Sequence, residues 1–268
     1  MINVGIAADD RARADRAALE RAAVLAKKLD LSLLSPGVSA ADVEHLDAIL
    51  FLGPAGIYLQ QTGKKAPGPV SVEFGSPAMR HRRRSGQNEM LGRAVGVGKK
   101  NGLRVMDATA GLGKDSFILA DLGCEVYLCE RHPIVIELLA SALESAGLCG
   151  EDWLVQVCRR MILCPGDARA QALGAMKPID VVYLDPMFPD RTKSASVKKE
   201  MALFQRLMEG PKAVCDADDL LQWSLEQDVS RVVVKRPVKA PVLAGRKPGH
   251  VIAGKTVRYD VYVLRSLS

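Results

Sequence analysis

From Leu103 onward, short apolar runs alternate with helix-like stretches: LRVMDA, EVYLCE, MILC, IDVVYLD and RVVVKRP, with KDSFILADL, PIVIELLASALESA, DWLVQVCRRM and two segments near 199–209 and 216–227 between them. Strands separated by helices cannot pair as hairpins. They form a mostly parallel sheet with helices on both faces, the architecture of an open Rossmann-like α/β fold. The end of the chain, HVIAGKTVRYDVYVLRS, reads instead as a hairpin-like strand region and implies one antiparallel departure. Ahead of this pattern, Ile2–Ala8, Ala48–Leu52, Ile57–Gln61 and Val70–Phe74 read as strands and Arg11–Leu29 as a helix. The expected organisation is a small N-terminal α/β subdomain over 1–75, a basic connecting segment over 76–100 and a larger α/β domain over 101–268.

Apolar residues make up 48% and charged residues 25% of the 268 positions, which excludes disordered, collagen-like and low-complexity classes. No apolar run approaches the ~20 residues of a bilayer span. The opening MINVGIAADDRARADR lacks the basic flank and apolar core of a signal peptide, so the expectation is a cytoplasmic protein without membrane partners. Six cysteines without a CxxC pair point to reduced core residues and to no metal site.

The loop DATAGLGKD (Asp107–Asp115) joins the first strand of the larger domain to its first helix. Glycines at 111 and 113 let a ligand approach backbone, and the helix start presents free N–H groups. A Walker A loop needs glycine where Ala108 stands and Ser or Thr where Asp115 stands. A dinucleotide fingerprint needs a third glycine where Ser116 stands, and Asp115 would repel a pyrophosphate. S-adenosylmethionine carries no phosphate, and its sulfonium and amino group suit Asp107 and Asp115. A tight turn without ligand is the plain alternative.

Glu130, at the end of the second strand, can accept from ribose hydroxyls, a need shared by S-adenosylmethionine and NAD. Asp167 in PGDAR can accept from an adenine amine or cap a turn. DPMFP (Asp185–Pro189) closes the fourth strand. The Asp185 carboxylate and the Pro186 carbonyl can grip an exocyclic amine and leave its lone pair facing a methyl donor, while Phe188 stacks on the base. These motifs leave guanine N(2), adenine N(6) and protein glutamine open as acceptors. An NAD-dependent oxidoreductase on the same sheet, or a non-catalytic RNA-binding protein, are the competing classes.

The net charge of +6 is concentrated locally: Arg80, Arg82, Arg83 and Arg84 lie within five residues. KSASVKKE, with Lys198 and Lys199, and VKRPVKAP, with Lys235 and Arg236, follow the fourth and fifth strands. Three basic loops around one cleft suit a polyanion.

The glycine loop, DPMFP, the following KSASVKKEM and the strand VVVKRP together closely resemble the RsmJ-type 16S rRNA (guanine-N(2)) methyltransferases, from about Val72 to the terminal YDVYVL. The first 70 residues match less sharply. The resemblance implies a class I methyltransferase fold, S-adenosylmethionine as cofactor and 16S rRNA or the small ribosomal subunit as partner. It places cofactor contacts at Lys114, Asp115, Glu130, Arg131, Gly166, Asp167 and Asp185; Gly111 and Asp107 join them from the loop chemistry. Met187 stands where many amine methyltransferases have a second proline, and Gly166–Asp167 stand where the family can carry small hydroxyl residues.

Overall fold

The computed structural model describes residues 2–84, 89–171, 177–186, 198–208 and 213–267. The strands are β1 (Val4–Ala8), β2 (Ser32–Leu33), β3 (Ala48–Gly53), β4 (Gly56–Gln61), β5 (Val70–Ser71), β6 (Arg104–Asp107), β7 (Glu125–Glu130), β8 (Met161–Pro165), β9 (Val181–Leu184), β10 (Arg231–Pro237), β11 (His250–Ala253) and β12 (Val257–Val263). The α-helices are α1 (Arg16–Leu29), α2 (Pro77–Arg84), α3 (Glu89–Val95), α4 (Lys114–Asp121), α5 (Pro133–Leu148), α6 (Asp152–Arg159), α7 (Lys198–Met208) and α8 (Ala213–Leu225).

The chain forms two compact units. The first contains the residues up to Glu73, His132–Ser145 and α7. Its sheet runs β2-β1-β3-β4-β5, with β1 parallel to β2 and β3, and β4 antiparallel to both neighbours. Two boundaries differ from the sequence expectation by more than two residues. The helix begins at Arg16 rather than Arg11, because two aspartates cap separate turns. Asp9 Oδ1 accepts from the Ala12 N–H at 2.9 Å and closes a 3₁₀ turn, while Asp15 Oδ1 accepts from the Ala17 N–H at 2.9 Å and starts α1. The last strand stops at Ser71, since Gly75 takes a left-handed φ of 79° and Pro77 opens α2.

The second unit carries a seven-stranded sheet in the order β11-β12-β10-β9-β6-β7-β8. Strands β6 to β10 are parallel, and β12 is antiparallel to both β10 and β11, the departure expected from the sequence. This is an open, mostly parallel α/β sheet of the expected Rossmann-like kind. The strand order reverses between β6 and β9, so a crevice opens at their carboxyl ends. Side chains alternate between the faces. Met106, Val182, Leu184, Val232 and Val234 pack with Leu220 and Leu221 of α8 in one core. Val105, Tyr183 and Val233 therefore face the other way, and Asp107, Asp185 and Lys235 at the strand ends share their side.

Asp180 fixes the register of the central strands at the opposite edge. Its carboxylate accepts from the Arg104 N–H at 2.9 Å and from Lys100 Nζ at 2.8 Å, and its carbonyl accepts from the Ser230 N–H at 2.8 Å. Asp180→Ala leaves a backbone donor and a half-buried ammonium without that acceptor. The expected result in urea unfolding is a loss of about 2–3 kcal/mol; a change under about 0.5 kcal/mol would show that this junction carries no stability.

Candidate active site

The loop Ala108–Gly113 straddles the reversal point because backbone groups stitch it to strands on both sides. The Ala108 N–H donates to the Tyr183 carbonyl at 3.0 Å, and the Ala110 N–H to the Cys129 carbonyl at 3.1 Å. The Asp185 N–H donates to Thr109 Oγ1 at 2.7 Å. Gly111 and Gly113 adopt φ values of 53° and 69°, the left-handed region in which glycine is unstrained. Gly113 is the N-cap of α4 and contributes no side-chain acceptor, so the amides of the first turn face the crevice without a cap.

Glu130 is buried at the end of β7, and its Oε2 accepts from the Gly111 N–H at 2.9 Å. The carboxylate proposed for a ribose thus also fixes the glycine loop. Gly166 lies beside it: its N–H donates to the Glu130 carbonyl at 2.7 Å, and its φ of 115° excludes a side chain without strain. Asp167 caps a 3₁₀ turn through the Arg169 N–H at 2.9 Å and pairs with the Arg169 guanidinium at 2.6 Å. Those hydrogen bonds hold its carboxyl below the usual carboxylate range. Arg131 pairs with Asp216 and stands 3.9 Å from Asp167, so both lie at the crevice rim in an ionic cluster. Lys114 opens α4 and is exposed.

Three carboxylates and one lysine meet at the carboxyl ends of β6, β9 and β10. Asp107 is buried; its Oδ1 accepts from the Thr109 N–H at 3.1 Å and its Oδ2 from Ser116 Oγ at 2.5 Å. Asp115 Oδ2 accepts from the Tyr183 hydroxyl at 2.7 Å and from Lys235 Nζ at 2.6 Å. Lys235 Nζ also reaches Asp185 Oδ2 at 2.7 Å. Burial pushes the Asp107 carboxyl up to about 7, against the hydrogen bonds from Ser116 and Thr109. Burial also raises Asp185, with Lys235 opposing it, and holds the Tyr183 phenol well above its ordinary range. Burial disfavours the Lys235 ammonium, but the two adjacent carboxylates outweigh it and hold the charge firmly.

Several expected residues are thus brought together: Asp107, Gly111, Asp115, Glu130, Gly166 and Asp185 line one crevice, with Pro186 buried next to Asp185. Phe188 lies outside the described residues. Thr109, Ser116 and Tyr183 were not singled out from the sequence. Their signal was a hydroxyl in a glycine loop, in a helix start and in an otherwise aliphatic strand.

The expected polyanion contacts need correction. Lys235 is directed into the carboxylate cluster. Arg236 is only 3% exposed, and its guanidinium donates to the Pro241 carbonyl at 2.6 Å, so it shapes the following loop rather than meeting phosphate. Arg80 donates to the Gly75 carbonyl at 2.6 Å and to both oxygens of Glu151 at 2.8 Å. Arg83 pairs with Asp121 at 2.9 Å, and both guanidinium groups lie over the Trp153 ring, 5.2 and 4.7 Å from its centroid. The side chains of Arg82, Arg84, Lys198 and Lys199 lie outside the described residues.

The crevice fits S-adenosylmethionine by its donor set. Carboxylates at the glycine loop suit a sulfonium and an ammonium and repel a pyrophosphate, while Glu130 suits a diol. Fold and site together define a SAM-dependent methyltransferase. The sequence pattern of the family described as SAM-dependent methyltransferase matches residues 38–264. The protein of Thioalkalivibrio sulfidiphilus named Ribosomal RNA small subunit methyltransferase J is 46% identical over 248 residues, covering 91% of this chain and 93% of its own. Its namesake from Pseudomonas aeruginosa is 45% identical over 235 residues, covering 86% and 88%. The crystal structure of a SAM-dependent methyltransferase from Neisseria gonorrhoeae superposes with a TM-score of 0.73 at 31% identity, covering 98% of this chain and 97% of its own. The chain belongs to the ribosomal RNA small subunit methyltransferase J family of SAM-dependent methyltransferases. Neither the oxidoreductase nor the non-catalytic reading finds support in these relatives. Among the described residues no helix is long and apolar enough to cross a membrane, and no group of three or more His, Cys, Asp or Glu side chains is arranged so that it could hold a metal ion.

Asp107 makes stability depend on pH in the cofactor-free protein. Its folded value of about 7 lies above the unfolded value near 3.8, so its contribution is full below pH ~4 and is lost as pH rises through 7. The full window corresponds to as much as about 4 kcal/mol. Asp107→Asn keeps a neutral group of the same shape and removes this component. Urea unfolding of both proteins from pH 4.5 to 8 should give a wild-type curve that falls relative to the variant; parallel curves would mean that Asp107 is ionised throughout.

Proposed function

We propose that this chain methylates the exocyclic N(2) amine of a guanosine in the 16S rRNA of the small ribosomal subunit. The observation that carries this reading is Asp185, held at the end of β9 by Thr109 and Lys235 and followed by Pro186, at the mouth of a crevice whose walls suit S-adenosylmethionine. The choice of small-subunit rRNA rests on the family, and the choice of guanine N(2) on the motif resemblance. When bound, S-adenosylmethionine supplies a methyl group already activated by its sulfonium. The protein's work is therefore positioning and exclusion of water. The loop amides and Glu130 hold the nucleoside part, Asp115 and its neighbours supply the negative field, and the Asp185 carboxylate with the Pro186 carbonyl orients the amine.

We assign the phosphate contacts to a different segment from the arginine cluster. Between Asp228 and Asp260 the chain has no acidic residue. Arg231, Lys235, Arg236 and Arg258 in this stretch point inward to carbonyls or carboxylates, whereas Lys239, Arg246, Lys247 and Lys255 are exposed. Inward cations build the loop after β10, and outward ones, which form no ion pair among the described residues, give it a positive face.

Two measurements test these assignments. Asp185→Ala should lower methyl transfer to undermethylated small subunits or 16S rRNA by at least about 100-fold while the melting curve stays near wild type; a folded variant with wild-type turnover would sink the assignment. Replacing Lys239, Lys247 and Lys255 by alanine should flatten the salt dependence of log K for RNA by about 0.7–0.9 per contact and spare cofactor affinity. Arg80→Ala with Arg83→Ala should instead lower the melting temperature with little change in that slope. The reverse pattern would return the phosphate contacts to α2.

A further inference from the structure

Lys235 has no part in the reading above beyond its contact with Asp185, yet its placement is over-determined. Strand alternation puts it on the same face as Val233, and the β9–β10 register pairs Val234 with Leu184. One step further along both strands, Lys235 and Asp185 stand side by side at the crevice. Its Nζ is 2.6 Å from Asp115 Oδ2 and 2.7 Å from Asp185 Oδ2. Tyr183 in turn fixes Asp115 through a 2.7 Å hydrogen bond. A run of tethers thus passes from Tyr183 on β9 to Asp115 on α4, to Lys235 on β10, and back to Asp185.

Resting on the methyl-transfer reading, we propose that Lys235 is a positioning residue that holds the Asp185 carboxylate ionised and aimed at the incoming amine. The Asp185 backbone is already pinned by Thr109. Without a second anchor its carboxylate, 39% exposed, would rotate freely at the crevice rim. Lys235 supplies that anchor, and Asp115 keeps the lysine from turning outward to solvent. One ammonium between two carboxylates also leaves a net negative charge, which suits the positive charge that develops on the amine.

The chemistry needs an ionised Asp185. The amine lone pair forms the new N–C bond as the C–S bond breaks and its electron pair goes to sulfur. The amine nitrogen becomes positive, and its proton passes to the Asp185 carboxylate and then to water. The groups facing Asp185 among the described residues are Asp107 from β6, Asp115 from α4, Tyr183 from β9, Lys235 from β10 and, behind Tyr183, Tyr259 from β12. The acids and phenols oppose a second negative charge, and Lys235 offsets them. Burial and Asp115 raise the Asp185 carboxyl, and Lys235 holds it down.

The test compares Lys235→Met and Lys235→Arg with wild type. In the Met variant kcat should fall about 100-fold with KM for RNA nearly unchanged, and the acid limb of the kcat–pH profile should move up by about 1–3 units. The Arg variant should keep the acid limb at its wild-type position. Carbon-13 NMR of the aspartate carboxyls in the cofactor-free proteins gives a readout apart from turnover: the Asp185 titration should move up in the Met variant. If that variant does not fold, the Asp115→Asn, Lys235→Met double variant, which leaves Asp185 as the one carboxylate of the pair without its cation, carries the same comparison. An Asp185 that titrates above pH 7 in the wild-type protein overturns the proposal outright. So does a Met variant whose acid limb is unmoved, or one that loses RNA affinity and salt slope instead of kcat, since that is the signature of a phosphate contact. Asp185→Ala separates the two ideas: if it retains wild-type turnover the methyl-transfer reading of this residue fails, whereas an inactive Asp185→Ala beside an unaffected Lys235→Met refutes only the role of the lysine.

Discussion

A carboxylate withdrawn wholly or partly from water persists in ionised form only where a cation or several donors compensate its lost hydration. At the carboxyl edge of the second sheet, one lysine does this for two carboxylates at once, Asp115 and Asp185, at 2.6 and 2.7 Å. The rest of the unit is arranged so that this is geometrically attainable. Parallel pairing of β9 with β10 brings the lysine level with Asp185, the turn at Gly113 starts α4 where Asp115 can reach inward, and Asp180 sets the register from the far edge. A one-residue slip of β10 would turn Lys235 to the opposite face, where Leu220 and Leu221 of α8 pack, and leave both carboxylates without their cation.

The arginine-rich helix shows the same physics applied to architecture. Arg80 and Arg83 cover the Trp153 ring and pair with Glu151, the N-cap residue of α6, and with Asp121 on α4. Trp153 meets Phe117 edge-on at 6.0 Å, and Phe117 stacks on Phe74 at 5.4 Å. A stretch that reads as a polycation in one dimension is, for at least two of its members, a cation–aromatic clasp. It anchors α2 against the helix that carries Asp115.

The parallel sheet, its antiparallel end and the crevice residues were legible because each depends on local pattern. Apolar runs bounded by helix signals define strands, and strand-terminal acids in an open α/β sheet fall at the ligand edge. Asp107, Glu130 and Asp185 stand at such strand ends, whereas Asp115 follows from the glycine loop and lies in the first turn of α4. Partner choice across long sequence distances was not legible. Lys235 lies 120 residues from Asp115 and 50 from Asp185, so its charge looked outward-facing until the pairing of β9 with β10 was known. Arg236 escaped a local reading for the same reason, since its acceptor is the Pro241 carbonyl, and the pairing of Arg80 with Glu151 spans 71 residues. The start of α1 failed on a finer scale, where Asp9 and Asp15 each drew backbone donors away from a continuous helix.

The position of β12 between β10 and β11 carries a consequence for assembly. β11 precedes β12 in the chain yet pairs with no other strand of the sheet. It cannot join until its successor is in place, so the two are best added together as a ready-made hairpin closed around Gly254–Thr256. Hairpins of this kind form in microseconds, much faster than long-range parallel pairing. Until that docking occurs, the apolar β10 presents an open edge, with the lysine of the catalytic crevice at its tip. The last act of sheet formation thus seals the strand that bears Lys235, and the interval before it is when the nascent domain is most exposed to mispairing with other chains.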